Sequence, residues 1–206
     1  MDVVALTEDL VAIPSHEDET AAVEFVADWL RDHTEAAVTH DTHGNVVARK
    51  GAGEQSLALV GHHDVVPPDD SQVDAEGDYL LDRRDGRLYG RGTADMKGSL
   101  AAAMLTFADA DPTGGELIFA SFAGEEQGGV GCQAAIADGF ETDSAVVVEG
   151  STGYSAPGVT DVAVAHKGRR GSTIVAEGEA AHASEVDAGE NAIYRATDAV
   201  DVVRDM

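Results

Sequence analysis

The chain has 206 residues, 43 % of them hydrophobic, enough to bury one sizeable core and too many for wholesale disorder. Its 39 acidic and 13 basic residues give a formal charge of −26, which repels phosphate backbones and anionic lipid heads and argues against nucleic-acid and membrane partners. A single cysteine, Cys132, excludes an intramolecular disulfide framework and suits a reducing cytoplasmic setting.

No apolar run approaches the ~20 residues of a membrane span, and no secretory leader is expected at the start. Only Lys50, Lys97 and Lys167 are lysines; the remaining basic residues are arginines. An acidic, lysine-poor, Ala/Val-rich chain suits a halophilic interior, where dense salt screens self-repulsion.

Apolar positions at three- and four-residue spacing predict helices over 3–12 and 20–32, separated by the Ile13-Pro14-Ser15 break. Short strands are expected over 37–39 and 45–49, around a turn at His43-Gly44. Residues 56–61 form a continuous apolar run, the mark of a buried strand. A long polar surface loop is expected over 67–87, then a small-residue helix over 96–110. A second buried strand (116–122), a helix (131–138) and a third buried strand (144–148) follow. This alternation predicts an α/β fold: a mixed, partly parallel central sheet with helices on both faces.

Composition shifts at 150–158, read as a linker. Beyond it, strands over 162–166 and 172–177 are expected to pair around residues 168–171, with a helix over 191–204. A strand pair and one helix make a poor independent domain. The expectation is therefore a domain over 1–161 and the cut-off start of a second, α+β domain over 162–206.

Four polar clusters sit just after the expected strands or at helix starts, where open α/β sheets bind ligands. They are Gly61-His62-His63-Asp64-Val65-Val66-Pro67, Gly90-Arg91-Gly92-Thr93-Ala94-Asp95-Met96-Lys97-Gly98, Gly124-Glu125-Glu126 and Glu149-Gly150-Ser151. Together they offer imidazole and carboxylates, a donor set that suits zinc, manganese or cobalt. Each alone has a plainer reading: a polar loop, a helix cap at Asp95, a solvated acidic turn at Glu125-Glu126. Their order and spacing in combination favour a metal site.

These strings resemble the M20-type co-catalytic metallopeptidase and deacylase family, which includes succinyl-diaminopimelate desuccinylase, acetylornithine deacetylase and glutamate carboxypeptidase. The likeness is greatest to the desuccinylase and deacetylase branch, through GRGTADMKGSLAA and the later KGRRGS. The resemblance implies a hydrolase cleaving an N-acyl amino acid, with two divalent ions, zinc first and cobalt or manganese as alternatives. It implies that His62 and Glu149 ligate one metal, that Asp95 bridges both, and that Glu126 ligates the second. Asp64 would orient His62, and Glu125 would be the general base. The peptide after Asp95 is commonly cis in this family.

The resemblance further implies that His182 reaches a partner subunit's active site in a homodimer and stabilises the oxyanion, with a surface-loop histidine as the plainer reading. Arg169 or Arg170 would bind a substrate carboxylate, with a structural hairpin turn as the equal alternative. His63 occupies a variable position and is not expected to be a ligand. The family's last metal-ligating histidine, near the end of longer chains, has no counterpart here, so one ligand is expected to be missing. Alternatives to the deacylase are a carboxypeptidase or dipeptidase of the same family, and a non-catalytic metal-binding remnant.

Overall fold

The computed structural model describes residues 2–150, 161–164, 173–182 and 184–204. The chain divides into two compact units, Met1–Pro157 and Gly158–Met206.

In the first unit, α1 (Val3–Val11) starts where the Asp2 carboxylate accepts the Val4 N–H at 3.2 Å. It is followed by α2 (Thr20–His33). Leu6 and Leu10 of α1 and Val26 and Leu30 of α2 are fully buried, the apolar stripes that their spacing predicts. Strands β1 (Ala37–His40), β2 (Val46–Gly51), β3 (Ser56–His62), β6 (Glu116–Phe122) and β7 (Ser144–Val147) form a sheet in the order β1-β2-β6-β3-β7. The pairs β1–β2 and β2–β6 are antiparallel, whereas β3 runs parallel to β6 and β7. The remaining helices of this unit are α3 (Gly98–Asp109) and α4 (Val130–Ala137).

Alternation along β6 assigns the two faces. Leu117 and Phe119 join the cluster built with α1, α2 and α3, while Ala120 and Phe122 pack with Cys132 and Ala135 of α4. Helices therefore cover both faces, as the α/β reading requires. The register runs from Ser56↔Glu116 to His62↔Phe122 and from Leu57↔Ser144 to Val60↔Val147. It brings the carboxyl ends of β3, β6 and β7 side by side.

Three expectations are corrected. The stretch 67–87 is not a plain loop: Asp70–Gln72 makes a short 3-10 turn, and β4 (Asp82–Arg84) pairs with β5 (Arg87–Tyr89) across Asp85-Gly86. The polar composition hid this hairpin because both strands are largely exposed and lack a buried face. The strand at 144–148 forms but is not buried. It is an edge strand, and Val146 and Val147 stay exposed. In the second unit, the described parts of the two expected strands, 162–164 and 173–177, are irregular; residues 165, 166 and 172 of that pair lie outside the described residues. The intervening turn at 168–171 lies outside the described residues. The helix is present as α5 (Ala192–Arg204).

Candidate metal centre

Every member of the four clusters described in the first unit lies at or just past a carboxyl end of a parallel strand, or in the turn that enters α3. His62 is the last residue of β3 and is 2 % exposed. Its Nδ1 lies 3.0 Å from the backbone carbonyl of Asp64 and 3.2 Å from Asp64 Oδ1. Both atoms only accept, so Nδ1 carries a proton and Nε2 faces the site. Nε2 is buried without an aligned hydrogen-bond partner. It lies 3.2 Å from Asp95 Oδ1, 3.4 Å from Glu149 Oε2 and 3.9 Å from Glu125 Oε2.

His62, Asp95 and Glu149 each present one ligand atom, all within 4.8 Å of one another, and are the single such group among the described residues. A buried imidazole nitrogen facing carboxylates without a partner is costly unless a cation joins them. The donor set therefore fits a divalent ion. In the metal-free chain a proton takes that part. Burial alone would lower the pKa of His62, but the adjacent Asp64 and Glu149 carboxylates overcome it and raise the pKa to about 11. Burial, and then the charge of Glu149, raise Asp95; contact with His62 lowers Glu149.

Asp95 stands in the turn Thr93–Lys97, and the Asp95–Met96 peptide is cis. Gly92 enters this turn at φ +82°, where an added Cβ would lie 2.7 Å from Val65 Cγ1. Only glycine accommodates that conformation and that approach. Lys97 is fully buried, and its Nζ donates to the Leu10 and Ile13 carbonyls at 3.0 and 2.7 Å. Burial pulls its pKa down to about 8 against the opposing charge of Asp64.

The Glu125-Glu126 turn follows β6. Both N–H groups donate to Asp64, at 3.1 Å to Oδ1 and 3.0 Å to Oδ2. These bonds and His62 hold the Asp64 carboxyl below its usual range, although burial pushes the other way. Glu126 is half-buried and does not join the three-residue group; burial, then the charge of Asp95, raise its pKa. His63 is fully buried and turns elsewhere, to Ser121 and Glu19.

His182 lies in the second unit, exposed, with Nδ1 2.8 Å from Ser184 Oγ. Arg169 and Arg170 lie outside the described residues. Sequence reading passed over Glu19, Asn45, Ser121 and the burial of Lys97. Lysine scarcity was the available signal for Lys97: a chain that replaces surface lysines retains one for another reason.

The profile described as Peptidase family M20/M25/M40 matches residues 58–204. A probable succinyl-diaminopimelate desuccinylase from Staphylococcus epidermidis is 30 % identical over 200 residues, covering 93 % of this chain and 48 % of the relative. An acetylornithine deacetylase from Shigella sonnei is 33 % identical over 186 residues, covering 86 % of this chain and 46 % of the relative. The chain thus spans about half the length of these curated relatives. The fold is shared with a tripeptidase from Staphylococcus aureus (TM-score 0.66, 17 % identity, 97 % of this chain and 55 % of that one). It is also shared with an M20 family metallo-carboxypeptidase from Sulfolobus solfataricus (TM-score 0.62, 21 % identity, 73 % of this chain and 38 % of that one).

Proposed function

The chain belongs to peptidase family M20/M25/M40, a family of hydrolases, and from that premise we propose that it cleaves the amide bond of an N-acyl amino acid. The observation that carries this reading is the buried, unpartnered Nε2 of His62 facing Asp95 and Glu149, with Glu125 at its rim. The identities to a desuccinylase and a deacetylase support acyl amino acids over peptides as substrates.

His62, Asp95 and Glu149 would hold one divalent ion, and the family resemblance supports Glu126 as a holder of a second. Zinc suits these donors first, and cobalt or manganese next. Metal held there would supply a water whose pKa is lowered to about 7 and a charge to polarise the scissile carbonyl. Glu125 takes the proton from the attacking water and hands it to the leaving amine. Its side chain is 55 % exposed and within 3.9 Å of His62 Nε2, so it is open to substrate and close to the reacting atoms. Asp64 fixes the ring of His62 and the backbone of the Glu125 turn with one carboxylate.

The family resemblance supports three further assignments. His182 stabilises the oxyanion, Arg169 or Arg170 binds the substrate carboxylate, and residues 162–206 begin a lid and dimerisation domain. A cytoplasmic setting is supported by the lone cysteine. Among the described residues, no helix is long and apolar enough to cross a membrane.

The test uses the zinc-loaded polypeptide carrying this sequence, with N-succinyl-diaminopimelate, N-acetylornithine and a dipeptide panel. The expected result is amine release from an acyl substrate, with Glu125→Gln cutting kcat about 10²–10⁴-fold at unchanged zinc affinity. Preferential dipeptide cleavage overturns the substrate class. Undiminished turnover by Glu125→Gln overturns the base.

A further inference from the structure

The end of β6 poses a backbone problem. Past Phe122 the chain leaves the ladder, and its next N–H groups need acceptors. Four successive groups find them on side chains. The Ala123 N–H donates to Asn45 Oδ1 at 3.1 Å, and the Gly124 N–H to Glu19 Oε2 at 3.3 Å. The Glu125 and Glu126 N–H groups donate to Asp64.

Glu19 is the unexpected member. It precedes α2 and lies more than a hundred residues upstream of Gly124, yet its side chain is only 17 % exposed. In a chain with 39 acidic residues, withdrawing one from water needs compensation. His63 supplies it: Nε2 lies 3.0 Å from Glu19 Oε2, and Nδ1 lies 2.9 Å from Ser121 Oγ. A carboxylate only accepts, so the His63 proton sits on Nε2 and the Ser121 hydroxyl donates to Nδ1. The Nε2–carboxylate contact is close but out of line for a hydrogen bond, so the Nε2–H dipole faces the carboxylate without an aligned bond.

Two neighbouring histidines at the end of β3 thus serve two carboxylates. His62 contacts Asp64, which takes the N–H groups of Glu125 and Glu126; His63 contacts Glu19, which takes that of Gly124. We propose that Glu19, faced by His63 that Ser121 in turn orients, is a positioning residue that fixes the turn carrying Glu125 through the Gly124 N–H. The inference rests on Glu125 being the base, but the hydrogen-bond clamp itself does not require a metal.

The test is residue-resolved amide hydrogen exchange on the metal-free full chain, with zinc calorimetry alongside. Glu19→Ala is expected to speed exchange at Gly124 at least tenfold while β6 amides such as Phe119 hold. Glu19→Gln retains an acceptor and is expected to keep Gly124 within threefold of the parent. Zinc affinity is expected to stay within threefold in both. No change at Gly124 in Glu19→Ala overturns the proposal. So does an equal rise across the whole chain, which would make Glu19 a general stability residue. Loss in Glu19→Gln as large as in Glu19→Ala also overturns it. A chain that binds no zinc yet shows the expected exchange pattern sinks the hydrolase reading and leaves the clamp standing.

Discussion

Asp64 carries two duties on one buried carboxylate: it holds the ring of His62 and accepts the N–H groups of Glu125 and Glu126. Asp64→Asn keeps the shape but puts an amide where two donors and an imidazole converge, so one edge of it must face a donor. Zinc affinity is expected to fall about 10–100-fold, the usual cost of losing the partner that orients a ligating histidine, as read by competition with a chelating dye. Unchanged affinity would mean that the backbone carbonyl alone orients His62. At this scale, His62, Asp64, Asp95, Glu125 and Glu149 were legible because their chemistry travels in short strings. Glu19, Asn45 and Ser121 were not, since each meets its partner through the fold from tens of residues away and has no local pattern.

The turn between β1 and β2 shows how an element away from His62, Asp95 and Glu149 reaches the site. Asp41 accepts from His43 N–H and Asn45 N–H at 2.8 and 3.0 Å, and from the Asn45 side chain at 2.8 Å. Asn45 then donates to Gly131 O and accepts from Ala123 N–H, tying the hairpin to the strand end that leads into Glu125. Partial burial raises the pKa of Asp41, but these hydrogen bonds outweigh it and leave the pKa below its ordinary value. A carboxylate whose pKa is lowered by folding stabilises the fold above its unfolded value, and that gain is lost as pH falls through the folded value. Asp41 is exposed, so water screens much of this gain, and Asp41→Ala is expected to cost under about 1 kcal/mol near pH 7. The gap to the parent should narrow as pH falls below the unfolded carboxylate value, as urea melts at several pH values would show. A gap that stayed constant with pH would assign the loss to packing instead.

Periodicity located the helices and the inner strands because it reports which face of an element is apolar. It failed at residues 82–89, where the paired strands have no buried face, and at β7, whose apolar run says nothing about whether a neighbour covers it.

At the scale of the whole molecule, charge dominates. A formal charge of −26 on 206 residues makes the folded chain repel itself. Between about 0.1 M and about 1 M salt the screening length falls from about 10 Å to about 3 Å. The melting temperature is expected to rise by several degrees over that range in KCl; a flat or falling curve would contradict adaptation to salt. Metal stoichiometry is also a property of the whole chain, and zinc calorimetry on the parent and on His62→Ala tests the centre most directly. The geometry predicts tight zinc binding by the parent and an affinity at least about 100-fold weaker without the imidazole of His62. A parent that binds no zinc, or a variant that binds it equally well, would contradict the metal centre from which the rest of the account follows.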